Sequence, residues 1–395
     1  MFSYNNLLKR GTRIALRAKV NDSLITGLRV VDSLLPVGRG QRQLILGDRY
    51  TGKTSLFLSS LLHSSIVNIM HTIDGFGSKR LFGLYIGLSQ SLNKLSKLIR
   101  LFNLIHWFIF LLSTQPSTSS LLSYMIPLIG ISIAERLKDR GLDCLICFDN
   151  LSSHAKSYRQ ICLLQNKIPS RDAFSADVFN LHSSLLERCS ALLDRSFNSF
   201  SSISCLPVIE TINMDLSEYI STNVISITDG QFFLSASLFN MSLRPSIDSS
   251  LSVTRIGSNA QSKYIKLASS GIKNELTTKR NNSNTLNLIE SAQLLCLNYI
   301  FYQEHMFVTC IETSLILLLV YRNGILFNNL SQIYRLLFLL CSECFMLFYI
   351  LFISKNNYNV FLNAFCLFVL NEFVLHLYYS SAISNVEMSS AQSIA

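Results

Sequence analysis

The sequence predicts an α/β fold, a parallel sheet assembled from strand–helix units and followed by a C-terminal part of different character. Three observations carry this. Between Thr26 and about Gln261, short apolar runs alternate with helical patterns, as they do where each strand is followed by a helix that packs back on the sheet. Three of the runs, Leu44–Leu46, Leu84–Ile86 and Cys144–Phe148, are apolar without alternation, the pattern of strands covered on both faces. After Leu288 the chain becomes strongly apolar and the alternation stops.

Composition bounds the function. A chain of 395 residues predicts two or three domains. The net charge of +10 suits an anionic membrane face, an acidic partner or a nucleic acid. No basic stripe interleaved with aromatics and no zinc-finger spacing appears, so the expectation is no nucleic acid. The 49% hydrophobic and 15% charged residues lean toward membrane association, although base bias in a small genome yields the same palette. Two CxxC pairs, Cys144/Cys147 and Cys341/Cys344, sit in apolar runs with no second pair or His at ligand spacing, so they read as buried thiols. Met1–Val20 carries Lys9, Arg10, Arg13, Arg17 and Lys19 and no acid, and it lacks the apolar core of a secretory signal. Charge alone leaves a mitochondrial presequence open.

The first strand, Leu44–Leu46, runs into Gly47-Asp48-Arg49-Tyr50-Thr51-Gly52-Lys53-Thr54, which satisfies G-x-x-x-x-G-K-[ST] without a mismatch. Ser55 and the Leu-rich residues after it predict a helix, so strand, loop and helix stand in the order of a P-loop NTPase. Glycines let backbone N–H groups close on phosphate oxygens, and the helix N-terminus adds partial positive charge. Lys53 would neutralise the outer phosphates, and the Thr54 hydroxyl would ligate Mg²⁺. Cys144–Phe148 ends in Asp149, the predicted carboxylate on the Mg²⁺ side; the alternative is a strand-end Asp that caps the next helix. Between about Ser262 and Asn284 the chain turns polar, as a helix end and a linker do. Beyond it, Leu336–Ser354 and Val360–Tyr379 are each long enough to span a bilayer, or to form buried bundle helices.

Several blocks carry a family resemblance in a fixed order. They are Thr26–Arg42 leading into the loop, Tyr158-Arg-Gln160, Arg171-Asp-Ala-Phe174, Asp177–Arg188, Leu206–Thr211, Thr222–Gln231, Arg244-Pro245 and Leu251–Gln261. Together they resemble the alpha subunits of F-type ATP synthases. The resemblance implies a RecA-like P-loop nucleotide-binding domain over 26–265 and a divergent, apolar α-helical bundle over 266–395. It makes 1–25 the remnant linker of a missing N-terminal β-barrel.

It also implies roles. Arg255 matches the arginine that alpha lends to a neighbouring catalytic site, where a planar cation stabilises charge building on the transferred phosphate. Gln90 stands where the catalytic subunit has a Glu; an amide cannot take a proton, so the chain's own site should bind nucleotide and hydrolyse it poorly. Phe239, Arg244 and Pro245 border the adenine pocket, and Gln303 matches a glutamine near the base. The implied cofactors are ATP/ADP and Mg²⁺. The implied partners are beta subunits in an alternating hexamer, with central-stalk and peripheral-stalk subunits. The complex would be peripheral to the mitochondrial inner membrane on its matrix side, or to a bacterial plasma membrane on its cytoplasmic side.

The chain also departs from the family. Tyr50 replaces a Gln, Ser91-Leu92 replaces Lys-Arg after Gln90, and Asn150 replaces a second Asp. A stand-alone Rho-like ATPase, and a membrane-tethered or decayed relative of alpha, are the competing readings.

Overall fold

The computed structural model describes residues 11–12, 17–73, 81–105, 109–194, 199–281, 294, 297–298 and 301–303. The chain divides into two compact units, Met1–Asn329 and Leu330–Ala395, and every described residue belongs to the first. The apolar runs at 336–354 and 360–379 and the pair Cys341/Cys344 lie outside the described residues.

A short antiparallel pair, β1 (Ser23–Leu24) and β2 (Val37–Gly38), brackets helix α1 (Arg29–Leu34). The main sheet then builds in chain order, and its strands alternate with helices. They are β3 (Gln43–Gly47), α2 (Lys53–Ile73), β4 (Leu81–Gly87), α3 (Leu92–Ile105), β5 (Ile109–Ser113), α4 (Ser120–Lys138), β6 (Asp143–Asp149), α5 (Leu151–Leu164) and α6 (Val178–Leu186). The series continues with β7 (Ala191–Asp194), β8 (Ser199–Glu210), α7 (Tyr219–Ile227), β9 (Gly230–Leu234), α8 (Ala236–Asn240), β10 (Val253–Thr254) and α9 (Gly257–Ala260). The spatial order is β10-β9-β3-β8-β6-β4-β5, with β7 beside β8. The run from β9 to β5 is parallel, and only β10 and β7 are antiparallel.

The three runs without alternation are the central strands β3, β4 and β6, each buried on both faces as expected. Period two decides what each face receives. Leu44, Leu46, Leu84, Ile86, Cys144, Ile146 and Phe148 join one core with Leu128, Ile131 and Ala134 of α4 and Leu151 and Ala155 of α5. The intervening Tyr85 faces the other layer, where its ring lies 5.7 Å from Phe57 of α2 and 6.2 Å from Phe102 of α3. By the same parity Cys147 and Asp149 share the face of Tyr85. Buried Arg188 holds Glu135 of α4 at 2.8 Å and ties the end of α6 to that helix. Cys144 and Cys147 are buried free thiols, in line with expectation.

The polar stretch after Ser262, expected as a helix end and a linker, is instead two helices, α10 (Lys263–Ser269) and α11 (Ile272–Asn281). Ile265, Ile272 and Leu276 are buried while Leu267 is exposed, and Ser262 caps α10 by accepting from the Ile265 N–H. Those three anchors outweigh a polar average.

Candidate functional site

Parallel strands end together, and the loops leaving their carboxyl ends form the crevice in which α/β sheets bind ligands. Here Gly47 pairs with Glu210 and Leu234, and Gly87 pairs with Ser113 and Asp149. The expected loop, the expected acid and Gln90 therefore meet at one edge.

The loop Gly47–Thr54 wraps the start of α2. Gly52 has φ +93°, a region open to glycine, and a Cβ on Gly47 would come within 2.8 Å of Thr51 Oγ1. Asp48 serves the architecture: its Oδ1 accepts from Thr211 Oγ1 at 2.8 Å and from the Met214 N–H at 3.0 Å. Arg49 lies on the surface, with Nε 3.6 Å from Glu210 Oε2. Thr51 closes the loop by donating to the Asp48 carbonyl at 2.8 Å, and Ser246 donates to the Thr51 carbonyl at 2.8 Å. Ser55 donates back to the Gly52 carbonyl at 2.6 Å. Tyr50, which stands where the family has a Gln, is 91% exposed at φ +64°. Lys53 is buried, donating to the Gly47 carbonyl at 3.0 Å and to that of Asp48. Burial pushes its ammonium below the ordinary value, opposed by the charges of Glu210, Asp149 and Asp48.

Asp149 does not cap α5. Asn150 does, accepting from the Ser153 N–H at 2.7 Å, which leaves the Asp149 carboxylate facing the phosphate loop. Its Oδ2 accepts from Tyr85 OH at 2.5 Å, Lys94 Nζ at 3.1 Å and Thr54 Oγ1 at 3.2 Å. Burial, and then the adjacent carboxylate, push the Tyr85 phenol far above its ordinary value, so Tyr85 donates at any working pH. Gln90 is buried beside it, and its Nε2 donates to the carbonyls of Asp149 at 3.1 Å and Leu88 at 3.2 Å.

Thr54 and Asp149, the expected Mg²⁺ ligands, do come together, but the Lys94 ammonium touches both: Thr54 Oγ1 at 3.3 Å and Asp149 Oδ2 at 3.1 Å. Among the described residues no three His, Cys, Asp or Glu side chains converge here, but a Mg²⁺ beside phosphates needs only one or two protein ligands, so the obstacle is the Lys94 ammonium itself. As arranged, this donor set does not fit a resident Mg²⁺. Sequence reasoning missed Lys94 because a lysine in the first turn of α3 reads as solvated. It missed Tyr85 because one aromatic in a buried strand reads as core.

Beside the loop lies a cavity of about 440 Å³, within the usual range for small-molecule sites. Leu28, Leu56, Leu234, Phe239 and Pro245 give it apolar walls, while Tyr50, Ser55, Arg244 and Gln303 give it polar ones. The Arg244 guanidinium lies 5.3 Å from the centre of the Phe239 ring. All three residues expected around the adenine therefore line one cavity next to the loop. The Gln303 side chain is tied to backbone, accepting from the Arg29 N–H at 2.9 Å and donating to the Gly27 carbonyl at 3.2 Å.

Arg255 stands elsewhere. It follows β10, whose Thr254 pairs with Gly230, and Gly230 in turn pairs with Gln43, at the start of the strand that ends in the loop. Four residues at roughly 3.3 Å each separate that level from Gly47, about 13 Å along the strand. Arg255 is exposed, and among the described residues its side chain makes no hydrogen bond or ion pair.

A family model described as the ATP synthase alpha/beta family, nucleotide-binding domain, matches residues 27–254. The ATP synthase subunit alpha of Carsonella ruddii is 43% identical over 263 residues, covering 65% of this chain and 53% of its own length. That of Buchnera aphidicola is 40% identical over 269 residues, covering 66% and 51%. That of Neorickettsia sennetsu is 40% identical over 282 residues, covering 70% and 54%. The chain thus spans about half the length of the curated relatives it matches.

Proposed function

The chain belongs to the ATP synthase alpha/beta family, and from that premise we propose that it is a non-catalytic, nucleotide-binding alpha subunit of an F-type ATP synthase. In this reading Lys53 and the backbone N–H groups of the loop hold the phosphates of ATP or ADP. The cavity bordered by Phe239, Arg244 and Pro245 takes the base. Bound nucleotide is not turned over, because Gln90, at the position where the catalytic subunit has a Glu, is an amide that cannot take a proton and whose nitrogen is engaged with two carbonyls. Mg²⁺ is left out, because Lys94 holds the point between Thr54 and Asp149.

The observation that carries the reading is Arg255. An exposed guanidinium at the far end of the sheet from its own phosphate loop supports a role in another chain's site, as an arginine finger acting in trans has. The partners are beta subunits alternating with this chain in a hexamer around a central stalk, braced by a peripheral stalk, and the head is peripheral to the membrane. We place it on the matrix side of the mitochondrial inner membrane. The bacterial relatives support the cytoplasmic side of a plasma membrane as the second location. The segments 1–25 and 266–395 are read as the barrel-side linker and the C-terminal helical part.

Replacing Arg255 with Ala in the assembled complex tests this. ATP turnover should fall by about 10³-fold or more, while subunit composition and nucleotide bound to this chain stay unchanged. Turnover near the native rate would remove Arg255 from the mechanism.

A further inference from the structure

We propose that Lys94 is a tethered cation that takes the place of the divalent ion, so that this site binds a nucleoside di- or triphosphate without Mg²⁺. The inference rests on the nucleotide-binding reading of the loop and concerns how that same site balances phosphate charge.

Three features of the site support it. Lys94 Nζ lies 3.3 Å from Thr54 Oγ1 and 3.1 Å from Asp149 Oδ2, between the two groups that would otherwise share a metal ion. A carboxylate oxygen offers about two lone-pair sites. Asp149 Oδ2 already receives Tyr85, Thr54 and Lys94, so that oxygen is filled and only the carboxylate's other oxygen is left to a metal. The ammonium is also held in place: α3 is anchored by buried Leu95 and Leu98, one and four residues beyond Lys94.

A cation attached to the fold has a high effective concentration that a free ion must compete against. An ammonium carries three donors, and two are engaged with Thr54 and Asp149. The third is available to a phosphate oxygen, and the Lys94 side chain is 38% exposed, open to an arriving ligand. Lys53 and Lys94 together supply two positive charges against the single charge of Asp149. Asp48 and Glu210 also act on Lys53, but Lys94 stands nearest the point a metal would take, and a dication brought there would be repelled by it.

The test is equilibrium binding of ATP and ADP to the full-length chain, in EDTA and in excess Mg²⁺. The native protein should bind with dissociation constants within about threefold of each other. Lys94→Met, which keeps the stem and removes the charge, should lose at least about tenfold in EDTA and regain it in Mg²⁺. Mn²⁺ paramagnetic resonance on nucleotide-loaded protein adds a second readout: no protein-bound Mn²⁺ in the native chain, and a bound signal in the Lys94→Met variant. Native binding that requires Mg²⁺, or bound Mn²⁺ in the native chain, overturns the role of Lys94 and leaves the nucleotide site standing. Absence of binding in both conditions, with a native melting transition, overturns the nucleotide-binding reading and this inference with it.

Discussion

Gln90 illustrates how much one side chain's environment adds to its identity. Sequence position alone marks it as an amide where a base would be needed, but its surroundings are invisible from sequence. The amide nitrogen donates to two buried backbone carbonyls, at residues 88 and 149, at the junction of β4 and β6. Replacing it with glutamate, the residue that would supply a base, sets a carboxylate against two carbonyl oxygens and removes both hydrogen bonds, leaving the Asp149 carbonyl with the Leu88 N–H alone. Gln90→Glu should therefore cost about 1–3 kcal/mol of stability, read as a lower urea midpoint, without producing ATPase activity in the isolated chain. A variant as stable as the native chain would mean that the two hydrogen bonds contribute nothing. The loop Gly47–Thr54 was legible because its chemistry is local: glycines, a lysine and a hydroxyl within eight consecutive residues. Lys94 and Tyr85 were not, because their roles exist only once α3 and β6 meet at the end of β4.

At the scale of elements, legibility followed hydrophobic pattern. The strands β3, β4 and β6 could be read because a strand covered on both faces has no polar alternation to confuse it. The helices α10 and α11 could not, since three buried anchors in a polar stretch are too few to set a period. Helix α4 is the one described helix long and apolar enough to cross a membrane, at mean hydropathy 1.3. Its packing explains part of that apolarity, since Leu128, Ile131 and Ala134 fill the core over β4 and β6, while Leu121, Leu122 and Ile129 are exposed.

Below α4, His154 of α5 and His182 of α6 stack with centroids 5.6 Å apart, both fully buried. Burial pushes His154 down to about 4, the Tyr124 carbonyl contact opposing it slightly, and pushes His182 down to about 3, with His154 adding to the effect. The folded chain refuses protons that the unfolded chain takes up below about pH 6.5. Their contribution to stability is thus fully present above that pH and is lost as pH falls toward 4. Between pH 7 and pH 5 His154 alone should account for about 2 kcal/mol. Replacing both rings with Leu should flatten the profile in urea denaturation across that range. An equally steep profile in the variant would assign acid sensitivity to carboxylates instead.

For the whole molecule the open issue is what surrounds this domain. The chain spans about half of its relatives, and the family match ends at residue 254. The runs at 336–354 and 360–379 are long enough to cross a bilayer. A head subunit is held to its membrane only through partner proteins, whereas a spanning chain is held by apolar surface that alkali does not weaken. Extraction of source membranes with alkaline carbonate should therefore release this chain together with beta. In mild detergent it should co-purify with beta in equal amounts by quantitative mass spectrometry. Both outcomes follow from the proposed function: a subunit whose arginine serves its neighbour's site must stand beside that neighbour in every copy of the complex. If the chain stays in the carbonate pellet, the runs at 336–354 and 360–379 are spans and the soluble-head assignment fails. If beta co-purifies with a different full-length alpha and this chain is missing, Arg255 has no catalytic site to serve and the proposed function falls with it.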